Sequence, residues 1–154
     1  MSEYIIPKTR RHIVVTLRSS MTIAGDVFLQ SSGRYGDRME GPLDILNATE
    51  AFFPLLPDSG AAVLIAKEQV VAVSLDRADE EDDVRAQGTP RVNIEVRLID
   101  GETFSGAVFL EVPKQYSRLL DFLNRYKHRF LALDTADGQL LLNRSMIESI
   151  RSLD

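Results

Sequence analysis

The chain of 154 residues has no cysteine, no tryptophan and only two histidines. Without cysteine there can be no disulfide, no thiolate metal site and no thiol chemistry. With only His12 and His128, neither near a second histidine at metal-binding spacing, acid–base chemistry would fall to carboxylates, lysines and tyrosines. Both histidines read as surface residues. No apolar run approaches the roughly 20 residues that span a bilayer. The opening Met-Ser-Glu-Tyr-Ile-Ile-Pro-Lys lacks the basic-then-apolar layout of a signal peptide, so the expected setting is cytoplasmic, away from membranes. Positive charge is also short: 18 Lys and Arg against 23 Asp and Glu leave a net charge of -5. That balance opposes nucleic-acid binding through bulk electrostatics. Also missing are a phosphate loop, a nucleophile elbow, a dinucleotide fingerprint and zinc-ligand spacing. Gly33, Gly36 and Gly41 lie in a polar stretch that reads as a connecting loop.

What is present is a repeat. Arg10-Arg-His-Ile-Val-Val-Thr-Leu17 matches Arg91-Val-Asn-Ile-Glu-Val-Arg-Leu98, and Thr22-Ile-Ala-Gly-Asp-Val-Phe-Leu29 matches Thr103-Phe-Ser-Gly-Ala-Val-Phe-Leu110, with one spacing, as from Gly25 to Gly106. Asp44-Ile-Leu-Asn47 then matches Asp121-Phe-Leu-Asn124 at a spacing about four residues smaller, continued by Phe53 with Phe130, Leu56 with Leu133 and Leu64 with Leu141. Shared order, spacing and residue type over two blocks signal duplication. The organisation expected is a first repeat over 1–75, an acidic linker over 76–90 and a second repeat over 91–154. Two halves this small fold marginally alone. Asp76, Asp79, Glu80, Glu81, Asp82 and Asp83 make the linker read as solvated chain.

Each repeat reads as strand, strand, helix, then two or three strands. Ile13, Val15 and Leu17 alternate with polar neighbours, as do Ile94, Val96 and Leu98, the period of a half-buried strand. Asp100-Gly101 suits a tight hairpin; Ser19-Ser20 has no glycine and is expected to be less regular. Gly25 and Gly106 interrupt the second strands at one place, predicting a bulge, a sharp bend or the close approach of another backbone. Leu119, Leu120, Leu123, Tyr126 and Phe130 recur at helical spacing behind Ser117, a candidate cap. In the first repeat Pro42 opens a shorter helix through Leu43 and Leu46, with Phe53 on the same spacing. Strands over 52–56, 62–66, 70–75, 130–133, 139–142 and 147–152 complete the pattern, with turns at Asp58-Ser-Gly60 and Asp137-Gly138. The fold expected is mainly β with one short helix per repeat: a tandem, pseudo-twofold duplication of a small SH3-like or Sm-like barrel or sandwich half.

The string Arg118-Leu-Leu-Asp-Phe-Leu-Asn124, after Gly106-Ala-Val-Phe-Leu110 and before Leu140-Leu-Leu-Asn-Arg-Ser-Met-Ile147, resembles an uncharacterised bacterial family of repeated small β domains. The first repeat resembles it through Arg38 and Leu43-Asp-Ile-Leu-Asn47, with Ala66 in the place of Asn143. The resemblance implies a repeated β architecture and no particular activity. A looser resemblance to Sm-like RNA-binding barrels describes shape: Asp121 and Asn124 stand three apart where that motif has four, and too far from Gly106.

Asp44, Asn47, Asp121 and Asn124 are the polar residues kept in both repeats. Short polar side chains of this kind fix helix ends by bonding nearby amides; as a ligand pair they would mark an interaction site. Arg118, Arg125, Lys127, His128 and Arg129 make the second helix region basic, with Tyr116 and Tyr126 beside it as possible stacking residues. The stretch Asn47-Ala-Thr-Glu-Ala-Phe-Phe53 carries no positive charge. The function expected is a non-enzymatic protein-interaction or scaffold module with no cofactor and no metal, acting on a protein partner and open to homodimerisation. The alternative is a nucleic-acid-binding small barrel using the basic second helix. An enzyme would need Asp44 and Asp121 to converge as a carboxylate pair.

Overall fold

The computed structural model describes residues 8–30, 40–76, 91–110 and 119–154. Arg38, Tyr116, Ser117 and Arg118, the glycines at 33 and 36, and the acidic stretch beyond Asp76 lie outside the described residues. The chain divides into two compact units, Met1–Leu75 and Asp76–Asp154. The first contains β1 (Lys8–Leu17), β2 (Thr22–Gln30), α1 (Pro42–Asn47), β3 (Phe52–Pro57), β4 (Val63–Ala66), a single 3-10 turn (Lys67–Gln69) and β5 (Val70–Asp76). The second contains β6 (Arg91–Leu98), β7 (Thr103–Phe109), α2 (Leu119–Arg125), β8 (Phe130–Thr135), β9 (Gly138–Asn143), a 3-10 turn (Arg144–Met146) and β10 (Ile147–Ser152). No helix among the described residues is long and apolar enough to cross a membrane.

Both units are mainly β and share one strand order, β5-β1-β2-β3-β4 in the first and β10-β6-β7-β8-β9 in the second, with antiparallel neighbours throughout. Neither order returns on itself: β4 and β5 stand at opposite ends of one, β9 and β10 of the other. The sheets are therefore open, and the closed barrel form of the expectation is not made. Period-two alternation sets the core side of the first strands. Ile13 and Val15 are buried in β1 opposite Gly25 and Ile23 of β2, and Ile94, Val96 and Leu98 are buried in β6. In β5 the run Val70-Val-Ala-Val73 is buried on both faces, whereas β10, with Glu148, Ser149 and Arg151, exposes most of its residues. A register shift recurs at one place, where Leu17 meets Val70 and Leu98 meets Ile147.

The hairpin turns are more alike than their sequences. Ser20 donates its N–H to the Leu17 carbonyl at 2.9 Å, and Gly101 donates to Leu98 at the same distance. Both adopt the left-handed region, Ser20 at φ 74° and Gly101 at φ 94°. The irregular turn expected at Ser19-Ser20 is thus a regular one in which serine takes a strained conformation.

At Gly25 and Gly106 the approach of another backbone is the feature found. Pairing runs through Gly25 without a bulge, from His12–Asp26 through Ile13–Gly25 to Val14–Ala24. Instead β3 crosses β2 there, pairing only Gly25 with Pro57 and Asp26 with Leu56. A Cβ on Gly25 would overlap the Leu56 carbonyl oxygen and lie 2.9 Å from its carbon; one on Gly106 would lie 2.6 Å from the Asp134 oxygen.

This crossing corrects the sequence alignment by one residue. Leu56 and Asp134 occupy the same place opposite their glycines, so Phe52 is the counterpart of Phe130 and Leu55 that of Leu133. The extra residue is in the helix, seven residues long in α2 and six in α1. The helix is also shorter than its apolar spacing suggests. It ends at Arg125, and Phe130 opens β8 fully buried. The spacing from Tyr126 to Phe130 is met differently, by the Tyr126 hydroxyl donating to the Phe130 carbonyl. Phe53 likewise belongs to β3, buried beside Leu55.

Substituting Gly25→Ala or Gly106→Ala should destabilise the chain by about 1–3 kcal/mol, the range for overpacking against atoms that cannot yield. Thr22→Ala, at an exposed strand position, should change stability by no more than about 0.5 kcal/mol. Urea denaturation of the three variants checks the difference.

Candidate functional site

Of the eight candidate residues, Asp44 has a clear local role. It stands at the third position of α1, behind Pro42 at the first, and its carboxylate accepts the Gly41 N–H at 2.8 Å. It occupies one of the amides that a helix start leaves without an intrahelical acceptor and places negative charge at the positive helix end. Asp121 occupies the first turn of α2, half-buried, while Asn47 and Asn124 lie near the ends of their helices, half-buried and exposed respectively. Arg118 lies outside the described residues. Arg125 ends α2, and Lys127 and Arg129 follow it in the loop before β8 rather than on a helix face.

The residue that sequence reasoning missed is Lys67. It is 1% exposed, and its ammonium donates to the carbonyls of Ile45 at 2.6 Å and Ala48 at 3.1 Å. The Ile45 carbonyl belongs to the last turn of α1 and the Ala48 carbonyl lies just beyond it, where the helix dipole concentrates negative charge. Arg144 is its counterpart: its guanidinium donates to the Tyr126 carbonyl, which holds the place of Ala48. The backbones repeat the match, Lys67 N–H to Ala51 at 2.9 Å and Arg144 N–H to Arg129 at 2.8 Å. A basic residue after the fourth strand of both units was the available signal.

A second repeated device lies across the first two strands. Arg10 faces Phe28 across β1 and β2, its guanidinium 5.2 Å from the ring centre; Arg91 faces Phe109 across β6 and β7 at 5.7 Å. Around the first pair, His12 Nδ1 lies 3.1 Å from Asp26 and 3.7 Å from Asp58, and Arg10 lies 3.7 Å from Asp26. Around the second, Arg91 approaches Asp134 at 4.0 Å. Asn93, standing where His12 does, donates its backbone and side-chain N–H groups to Asp154 at 2.9 and 3.0 Å. Those bonds hold the Asp154 carboxyl below its ordinary range. His12 is exposed, as expected.

The units differ most on the outer face of the β3–β4 pair and in the loop before it. In the first unit Phe52 and Leu64 are 57% and 68% exposed, with Pro54 exposed between them opposite Leu64. Their counterparts Phe130 and Leu141 are both 0% exposed. The loops are equal in length, Ala48-Thr-Glu-Ala51 and Tyr126-Lys-His-Arg129, but only the second is basic. In that loop Tyr126 packs against Phe122 at 5.5 Å and edge-on against His128 at 5.4 Å.

Comparison with family models, curated proteins and solved structures finds no match.

Lys67→Met keeps the length of the side chain but removes the ammonium donor from two helix-end carbonyls, of which Ile45 keeps the Ala48 N–H. It should cost about 1–3 kcal/mol. The exposed Arg144→Met should cost about 1 kcal/mol or less. Thermal denaturation of both variants checks the order; equal losses would contradict the role given to Lys67.

Proposed function

We propose that the chain is a non-enzymatic interaction module whose first unit takes up an extended, uncharged strand of a partner protein along β4. One observation carries the reading: an apolar strand pair ends the sheet of the first unit with its outer face bare. β4 is terminal in the strand order and so offers an edge for main-chain pairing. Edge strands that avoid association carry charge or proline, yet Ala61-Ala-Val-Leu-Ile-Ala66 carries neither. Phe52, Pro54 and Leu64 add an apolar floor beside that edge. A charged segment would lose hydration there without gaining a partner charge, which favours an uncharged, apolar occupant.

The two units are read as products of one duplication of a small SH3-like or Sm-like sandwich half. Their common strand order, the glycine crossing, the arginine–phenylalanine pair and the cation at the helix end all support that descent. It leaves one copy of a surface free to change while the other keeps its packing.

Affinity capture on the full chain tests the proposal, with nuclease-treated lysate and two lysine variants. Leu64→Lys should lose the captured protein. Leu120→Lys, equally exposed at 68% on α2, should retain it, with both variants melting near the unsubstituted chain. Capture unaffected by Leu64→Lys, or lost equally in both variants, would overturn the proposal.

A further inference from the structure

The structure points to a second surface, independent of the apolar edge: we infer that the loop from Tyr126 to Arg129, with Arg144 beneath it, docks the backbone of a single-stranded nucleic acid. The chain is acidic overall, and Arg10, Arg91, Arg97 and Arg151 each stand within 4.0 Å of a carboxylate. Lys127, Arg129 and Arg144 have no carboxylate partner among the described residues, and they meet at one place. Arg144 is tied to this loop by its backbone bond to Arg129 and its guanidinium bond to Tyr126. Arg129 is half-buried, and its Nη1 is buried without a hydrogen-bond partner among the described residues, so it adds charge to the loop rather than a contact at its surface. Lys127 and Arg144 are exposed and are the cations a phosphate oxygen can reach, Arg144 in the geometry arginine favours.

The ring beside these cations selects nucleic acid over an acidic peptide. Tyr126 is fixed by its hydroxyl bond to Phe130 and its packing on Phe122, and it supports His128, whose exposed ring offers a base a stacking face. Cations tracking phosphates beside a stacking ring are the working parts of single-strand binders. The matched loop of the first unit, Ala48-Thr-Glu-Ala51, has neither cation nor ring, so the second unit alone is assigned this surface.

Fluorescence anisotropy of a labelled 20-nucleotide RNA with the full chain at about 50 mM salt tests the assignment. Binding should weaken as salt rises. Lys127→Gln should lower affinity several-fold and reduce the salt slope by about 0.7, the share of one phosphate contact on a single strand. His128→Ala should weaken binding while leaving the slope unchanged. Arg97→Gln, at an exposed cation elsewhere in the unit, is the control and should bind as the unsubstituted chain does. Lys127 and His128 are exposed, so folding is not at issue in either variant. No binding at tens of micromolar protein, or equal binding by Lys127→Gln and the control, would overturn the assignment. Competition by polyglutamate as effective as that by unlabelled RNA would also overturn it, since the partner would then be an acidic peptide.

Discussion

Where one strand crosses another so that its peptide lies over a Cα of its neighbour, that position has no room for a Cβ, and each unit of this chain depends on such a crossing. At Gly25 the Leu56 peptide, and at Gly106 the Asp134 peptide, fill the space a side chain would take. The pairing made there is short, two residues of β2 with β3 and one of β7 with β8, but it decides where the rest of the unit goes. It fixes the register in which Leu55 and Leu133 enter the core, both fully buried. It also sets how much chain is left to connect the helix to the strand. The additional residue of the second unit is accommodated in α2, and the crossing falls at the equivalent place. Close-packed interiors tolerate an extra turn residue far better than a shifted register.

Around that skeleton the fourth strand and the helix are joined by a cation. Lys67 and Arg144 each reach a carbonyl just beyond their helix, so the start of the 3-10 turn, the loop before the third strand and the helix end are held together. The two residues solve the problem with different burial: Lys67 is sealed in, Arg144 remains exposed. The same asymmetry runs through the surfaces. Phe52 and Leu64 are bare where Phe130 and Leu141 are covered, and Tyr126-Lys-His-Arg129 is basic where Ala48-Thr-Glu-Ala51 is not. Shared positions hold the fold; the differing ones carry the two proposed interactions.

Much of the backbone plan was legible in the residues. Alternation in Ile13-Val-Val-Thr-Leu17 and Ile94-Glu-Val-Arg-Leu98 marks core-facing strands because a strand has period two. Paired glycines announced the crossing, and Pro42 announced the helix start. Other features depend on partners distant in sequence. The helix spacing of Tyr126 and Phe130 concealed a side-chain-to-backbone bond across a loop. The alignment of Phe53 with Phe130 was off by one because residue type was preserved while structural place was not. Lys67 reads as an ordinary surface lysine until the carbonyls of Ile45 and Ala48 are placed around it. For the candidate site, the basic residues after Leu123 were visible in sequence, but their position in a loop was not. The bare face of Phe52, Pro54 and Leu64 was hidden because a short apolar run such as Val63-Leu-Ile-Ala66 does not reveal which of its faces is covered.

Native-state amide hydrogen exchange on the full chain tests the central claim, that two matched crossings organise two matched units. The slowest-exchanging amides should fall at equivalent positions in both units, on the core strands beside Gly25 and Gly106: Ile13, Val15 and Val27 in the first, and Ile94, Val96 and Val108 in the second. Slowest exchange centred on α1 and α2, with the strands at the crossings opening first, would contradict it.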